Sequence, residues 1–600
     1  MHRQVRLFAA GLLKMGLQKG ERVGLISEGR NAWIISELGI LYAGGINVPL
    51  SVRLDASTEL RFRLKHSGAR MLVVSANQAP KAEEIRDSLP DLEYIIFLDG
   101  KNGKQKGDLD YAEVMQMGSD FIAATPEKLE ETWKSIQPDD LANISYTSGT
   151  TADPKGIMLS HLNYAANTVQ GNTLTTIDAD WRTLALLPWD HSFAHTACLY
   201  CFMYNGASVA SVEQGKTPME TLKNVPKNIK EFRPHVMMSV PALAKNFRKN
   251  IESGIRAKGA TTEKLFNFAL SVAYRYNGNG WDRGKGARVF LKPLVALFDK
   301  ILFSKVREGF GGEMKYFIGG GALLDIELQR FFYAVGIPMC QGYGLSEASP
   351  VISSNSLDAI KFGSSGKLVK YMELRIVDED GIVQPIGQKG EICIKGDNVM
   401  KGYWKNPEAT ASTLKDGWLH TGDMGYMDED GFLFVLGRFK SLLISSDGEK
   451  YSPEGIEEAL IDQSPFIDQA MLHNNQNPYT VALVVPNIAA INRELEKSGY
   501  KPGSADAAEA ALRLIQGEVD AYKKGGKFEG EFPDRWLPTA IAVLPESFNE
   551  ENGLVNFTMK MVRGKITEYF KDVIDFLYTA EAKNIVNDKN LSALARWYKK

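Results

Sequence analysis

Hydrophobic positions in the first half of the chain gather into short runs: ERVGLIS (21–27), GGINVPLS (44–51), RMLVVS (70–75) and YIIFLD (94–99). Helical patterns such as NAWIISELGILYAGG (31–45) lie between them. Strands that alternate with helices predict parallel sheets joined by crossovers. The pattern recurs in TLALLP (183–188), ASVASV (207–212) and PHVMMSVP (234–241). Further on, MELRIVDEDG (372–381), GEICIKGD (390–397) and DGFLFVLGR (430–438) alternate apolar with polar residues and end in turns, which predicts a small β-rich subdomain. After Gly437-Arg438 the character changes again. EGIEEALIDQ (454–463) and the stretch 507–524 read as helices, and IDQAMLHN (467–474) and TVALVVPN (480–487) as strands. The fold class is therefore α/β: a large N-terminal domain of parallel or mixed sheets with a β-rich subdomain, followed by a small α+β C-terminal domain. The expected boundary divides residues 1–438 from 439–600.

Six hundred residues exceed one ordinary domain and agree with that division. A net charge of -3 gives no whole-chain attraction to nucleic acid, and none is expected as a partner. Four cysteines are too few for a disulfide scaffold. Cys198 and Cys201 form a lone CxxC in apolar surroundings, which reads as two buried thiols rather than half a zinc site. His191 and His195 stand four apart and could share a helix face, but the Glu of an HExxH motif is missing. The N-terminal MHRQVRLFAAGLLKMG reads as an amphipathic helix, not a signal peptide. No apolar run has the length of a membrane span, and the expected compartment is the cytoplasm. One segment stands apart. Between about Ile255 and Lys315, two amphipathic, aromatic-bearing helical patterns, 262–276 and 289–306, flank the Gly-rich NGNGWDRGKG, with basic residues in excess. Such a pair can lie on the inner face of a membrane as a peripheral contact; helices packed on a core, with a solvated basic face, are the alternative.

Chemistry concentrates in Ile144–Ser160, ISYTSGTTADPKGIMLS. An apolar strand breaks into hydroxyls, a glycine and Asp153-Pro154-Lys155-Gly156, a donor-rich loop of the kind that cradles polyphosphate. It is not a P-loop, because Pro154-Lys155-Gly156 stands where Gly-Lys-Ser/Thr is needed. Gly319-Gly320-Gly321 follows a strand-like run and allows close approach of backbone to a planar ligand. Gln341 to Glu347, QGYGLSE, offers an aromatic face, a hydroxyl and a carboxylate. Trp418 to Asp423, WLHTGD, offers a carboxylate able to take two ribose hydroxyls. Taken alone, it could be a surface loop. Gly437-Arg438 adds a cation, Lys440 follows at once, and NFTMK brings Lys560 near the C-terminus.

In this order the motifs resemble those of the adenylate-forming enzymes, and 265–324 is particularly similar to the long-chain fatty acyl-CoA synthetases. The resemblance implies ATP, magnesium and CoA as cofactors and co-substrates, and a long-chain fatty acid as the acid. It implies that Thr147, Ser148, Gly149, Thr150, Thr151 and Lys155 hold the ATP phosphates. Gly320, Gly321, Gln341, Gly342 and Tyr343 would frame adenine. Ser346 stands where the family usually has Thr, Glu347 would bind magnesium, and Asp423 and Arg438 would hold the ribose. Lys440 matches the hinge and Lys560 the catalytic lysine of a mobile C-terminal domain. Lys565 is the runner-up for that lysine. His191 lies near the acyl pocket, for which Trp189, Phe193 and Tyr200 are candidate walls. Gly448 and Lys450, with Glu449, would approach the thiol in a second pose. Three departures stand out: Ala152 replaces a usual glycine, VNFTMK lacks the common proline, and the chain opens inside the family's first helix, so it is N-terminally short relative to the family. A fatty acyl-AMP ligase that loads a carrier protein, an aryl-CoA ligase, and an inactive lipid- or nucleotide-binding relative remain as other readings.

Overall fold

The computed structural model describes residues 1–100, 105–147, 154–215, 218–447, 449–555 and 561–598. Its first sheet has eight strands among these residues, in the order 402–403, 156–160, 141–146, 46–50, 22–26, 69–74, 94–97, 108–110. Pairing is parallel from Leu141–Tyr146 outward through Ile46–Leu50, Arg22–Ile26, Ala69–Val74 and Tyr94–Phe97. Strand alternation gives it two apolar faces. Val23, Leu25, Met71 and Val73 pack toward Phe8, Leu12 and Trp33, while Ile26, Val48, Leu50, Leu72 and Val74 pack toward Leu60, Leu64 and Ile85. The N-terminal helix His2–Lys14 supplies Phe8 and Leu12, both fully buried.

A second sheet of seven strands runs 367–368, 351–354, 339–344, 316–319, 236–239, 182–185, 208–211. Tyr316–Gly319 pairs parallel with both Val236–Ser239 and Met339–Gly344, so the C-terminal ends of the last two named motifs, Gly319 and Gly344, come out at one edge. The third sheet is antiparallel and contains Glu373–Val377, Gly390–Lys395, Leu414–Lys415, Trp418–Met427 and Leu433–Arg438. It is the β-rich subdomain expected from the alternating pattern. WLHTGD lies within its ten-residue strand rather than in a surface loop.

Beyond Arg438, two small sheets, 450–451/443–445/475–477 and 467–473/481–486/540–543, share no strand with those before it. Helices Glu454–Asp462 and Ala505–Asp520 cover one face of the second through Ile456, Leu460, Leu512 and Ile515 against Ala482 and Val484. Val481, Leu483 and Val485 face the other way, toward Ile566, Phe570 and Ile574. This is the small α+β C-terminal domain. The helical pattern 289–306 is one continuous helix in expectation but not in the structure. Pro293 opens the short helix Lys292–Phe298, and a π-helical turn, Asp299–Phe303, separates it from Ser304–Gly309. Proline at the first turn lacks only an N–H that would have no helical partner, which explains the start.

Candidate functional site

The strand Leu141–Tyr146 pairs antiparallel with Gly156–Ser160, so Thr147 and Lys155, which flank the candidate phosphate loop in sequence, meet at the end of the two strands. The Thr147 amide donates to the Lys155 carbonyl at 3.0 Å, and the Lys155 amide to Thr147 Oγ1 at 3.2 Å. Ser148, Gly149, Thr150, Thr151 and Ala152 lie outside the described residues. Gly402–Tyr403 adds the next strand to Gly156–Ser160. It carries the Tyr403 ring to 4.8 Å from the Lys155 ammonium, a cation–π distance. The Tyr403 hydroxyl donates to Glu347 Oε1 at 2.9 Å. Lysine, phenol and carboxylate thus form one chain linking the phosphate loop to the QGYGLSE motif. Burial and the Glu347 charge both push the Tyr403 phenol up, so it stays a donor at neutral pH. Nothing in its residue type singled out Tyr403 in the sequence. The signal was the turn after Lys401-Gly402, which reads as loop until the strand pairing is known.

Glu347 belongs to the single 3-10 turn Ser346–Ala348. Ser346 Oγ lies 2.8 Å from Ser192 Oγ, and Thr196 Oγ1 donates to the Ser349 carbonyl at 2.6 Å, tying the His191 segment to this turn. His191 is exposed, with Nδ1 accepting from the Phe193 amide. His195 is not its partner on a shared face. It is 1% exposed, and its Nε2 stands 2.6 Å from Glu37 Oε1. Burial pushes the carboxyl of Asp190, next to His191 in the chain, up to about 6. Trp189 and Tyr200 are core residues: Trp189 meets Trp33 edge to face at 5.8 Å, and Tyr200 donates to Glu37 at 3.1 Å. Phe193 alone of the three candidate walls borders a motif, since a Cβ on Gly320 would come within 3.1 Å of its ring.

The remaining motif residues gather nearby. Gln341 is buried and donates from Nε2 to the Gly342 carbonyl at 2.9 Å, and more weakly to Ala322. Its Oε1 has no partner. Gly321 adopts φ +86°, a conformation glycine reaches without strain. The Tyr343 hydroxyl donates to Asp423 Oδ2 at 2.6 Å, and Arg438 Nε stands 3.2 Å from Asp423 Oδ1. Asp423 and Arg438 are direct cross-strand neighbours. The turn that presents Asp423 is itself held: Glu391 Oε2 lies 2.7 Å from His420 Nδ1, and Glu391 Oε1 accepts from the Gly422 amide at 3.0 Å. Glu391 and His420 were not singled out from sequence.

Lys440 stands in the 3-10 turn Phe439–Ser441. Gly448 and Lys560 lie outside the described residues. Lys450 pairs with Glu379 on the β-rich subdomain, and Glu449 accepts from Arg535 and Trp536. Lys565 is exposed on the helix Arg563–Tyr569. The CxxC thiols are buried and form no disulfide, and burial pushes both up to about 12. Among the described residues, no helix is long and apolar enough to cross a membrane.

A family model described as AMP-binding enzyme matches residues 1–404. The long-chain-fatty-acid–CoA ligase FadD15 of Mycobacterium bovis is 29% identical over 581 residues, covering 96% of this chain and 91% of that protein. The long-chain-fatty-acid–[acyl-carrier-protein] ligase AEE15, chloroplastic, of Arabidopsis thaliana is 27% identical, covering 96% and 82%. The anthranilate CoA ligase AuaEII in complex with anthranoyl-AMP has the same fold, with a TM-score of 0.67 at 21% identity over 96% of this chain and 92% of that one.

Proposed function

We propose, on the premise that this chain belongs to the AMP-binding enzyme family, that it is a long-chain fatty acid–CoA ligase. It activates the acid with ATP to an acyl-adenylate, releasing pyrophosphate, and then transfers the acyl group to CoA, releasing AMP. The observation that carries the nucleotide half is the convergence of two chains of contacts. Lys155, Tyr403 and Glu347 meet at the base of the phosphate loop, and Tyr343, Asp423 and Arg438 meet beside it. Curated relatives named as long-chain ligases support the choice of acid and thiol.

The first step drives a carboxylate against the α-phosphate, anion toward anion. Lys155 and the loop from Thr147 through Ser148, Gly149, Thr150 and Thr151 offset that repulsion at the phosphates. Gly320, Gly321, Gln341, Gly342 and Tyr343 frame the adenine, Ser346 sits at the turn leading to Glu347, and Asp423 with Arg438 takes the ribose. Glu347 suits magnesium as its protein ligand: one carboxylate, already oriented by Tyr403, matches an ion that takes one or two carboxylates plus substrate phosphates. When bound, the ion neutralises phosphate charge and orients the oxygens. The two domains divide at 438/439, with Lys440 as the hinge. One pose of the mobile C-terminal domain brings in Lys560 for adenylation, and another brings Gly448 and Lys450 toward the thiol, which separates the steps and keeps water from the adenylate. His191 borders the acyl entrance on the segment tied to Ser346.

The test is pyrophosphate release with ATP, magnesium and palmitate, with and without CoA, beside acetate and benzoate. Palmitate- and CoA-dependent turnover is expected. Lys560→Ala should lower the adenylation rate by about 10²–10³; normal adenylation by that variant would overturn its role. A carrier-protein ligase is the second reading, favoured by the similarity to a relative named for an acyl-carrier-protein substrate. Palmitoyl-AMP that forms but transfers only to a carrier protein, not to CoA, would select it.

A further inference from the structure

The segment 255–315 holds twelve Lys and Arg against five Asp and Glu, in a chain whose net charge is -3. Three of those five acids are already neutralised by its own arginines: Glu263 by Arg256, Asp282 by Arg288 and Asp299 by Arg307. What the segment offers outward is therefore mainly lysine: Lys264, Lys285, Lys292, Lys300 and Lys305 are all exposed.

The helices that carry these lysines are apolar on two sides. Inward, Phe266, Ala269, Leu270, Phe298, Phe303 and Val306 join the core beneath the second sheet. Outward, Leu265 (40% exposed), Phe268 (55%), Val289 (48%), Phe290 (83%), Leu297 (52%) and Ile301 (38%) face solvent. The Phe268 and Phe298 rings meet edge to face at 5.8 Å, so the helix Ala260–Asn277 and the helix Lys292–Phe298 lie side by side and bring their outward residues onto one surface. Core packing explains the inner residues but leaves the outer six largely in solvent, Phe268 included beyond its edge contact with Phe298. A second exposed apolar group, Ile382, Val383 and Ile386, follows Asp378, Glu379 and Asp380 and lacks the basic rim.

We propose that the 265–301 face docks on an anionic lipid bilayer, with Phe268, Phe290 and Leu297 inserted at the headgroup boundary and the lysines on the lipid phosphates. Apolar tips ringed by lysines match a negatively charged, apolar-cored surface in both respects, and neither term suffices alone. If the chain is the ligase proposed above, the bilayer is also the phase from which its long-chain acid is drawn, so docking shortens the path from the acid's reservoir to the site.

The experiment is flotation of the full chain with phosphatidylcholine vesicles, with and without phosphatidylglycerol. Binding should require phosphatidylglycerol and weaken with salt. Phe268→Ser and Phe290→Ser should each weaken it about tenfold or more, as should reversing Lys285, Lys292 and Lys300 to Glu together. All five substituted side chains are exposed, so the variants should keep the parent's thermal midpoint and its acyl-CoA formation from detergent-dispersed palmitate. That assay separates failure of docking from failure of the ligase reading. No binding to anionic vesicles, equal binding to neutral ones, or full binding by Phe268→Ser/Phe290→Ser overturns the proposal. So does a dimer in sedimentation velocity that the same pair of substitutions dissolves, which would assign the face to a second copy of this chain.

Discussion

At the scale of single residues, Tyr403 is the junction of the proposed nucleotide site: its ring lies against Lys155 and its hydroxyl donates to Glu347. The two contacts can be removed separately. Tyr403→Phe keeps the ring and deletes a hydrogen bond to a charged group, worth about 1.5–3 kcal/mol. It should lower kcat/KM for ATP in adenylation about tenfold or more, with the loss eased by excess magnesium. Tyr403→Leu should lose further activity, because the ring face goes too. Identical kinetics for parent and Phe variant would remove Glu347 from the site. Gly366 tests the scaffold instead. At φ +82° its added Cβ would fall 1.8 Å from the Ser354 carbonyl carbon, backbone that cannot give way. Gly366→Ala should cost about 2 kcal/mol or more of stability in denaturant unfolding. Residues whose chemistry shows in their type were legible in sequence: Lys155, Glu347, Asp423 and Arg438 were all named from it. Tyr403 and Glu391 were not, because a tyrosine after a turn and a glutamate in a strand carry no signal until pairing sets their neighbours.

At the scale of elements, alternation and apolar runs predicted the sheets, since burial of one or both faces imposes its period directly on the sequence. Two elements show where the local pattern stops being informative. WLHTGD has turn-like residues, yet Glu391 and its strand hold it in register. The pattern 289–306 has a helical period, yet its α-helix is interrupted by a π-turn that the apolar spacing does not record. In the first, long-range contacts outweigh local propensity. The Glu391 contact makes the first of these testable. Glu391→Ala removes the acceptor for the Gly422 amide and the partner of His420, loosening the turn that presents Asp423. The ATP KM should rise about tenfold while kcat moves little, because the loss falls on ground-state and transition-state binding alike. A fall in kcat at unchanged KM would place Glu391 in the chemistry instead.

At the scale of the whole molecule, the two domains meet across a surface crowded with carboxyls. Lys245 of the helix Pro241–Arg256 donates to the Ile461 carbonyl and stands 3.1 Å from Asp462, while Gln463 donates to Asp325 at 3.1 Å. Arg248, Glu252, Glu327 and Arg330 face this surface from the large domain, and Glu454, Glu457, Glu458, Glu518 and Glu531 from the small one. Asp462 is 6% exposed and its Oδ2 has no partner. Burial, reinforced by neighbouring carboxylates, pushes Asp325 up to about 6 and Glu458 up to about 8, and burial raises Asp462 as well. A carboxyl whose pKa is higher in the packed pose binds its proton more tightly there, so protons favour packing. The contribution is fully present below the ordinary carboxylate range and is lost as pH rises through about 6 for Asp325 and about 8 for Glu458; above that it stays lost. Each pKa unit that separates the packed from the released pose is a tenfold change in their ratio. If the small domain rotates as proposed, a donor–acceptor dye pair, one on each domain, should report a packed fraction that falls between pH 5 and 8. Glu458→Gln should stay packed at the upper end of that range, because its amide has no charge to bury, and Asp325→Asn should flatten the lower end. A packed fraction independent of pH, or unchanged by Glu458→Gln, would mean that these carboxyls are solvated in both poses and do not set the balance between adenylation and thioester formation.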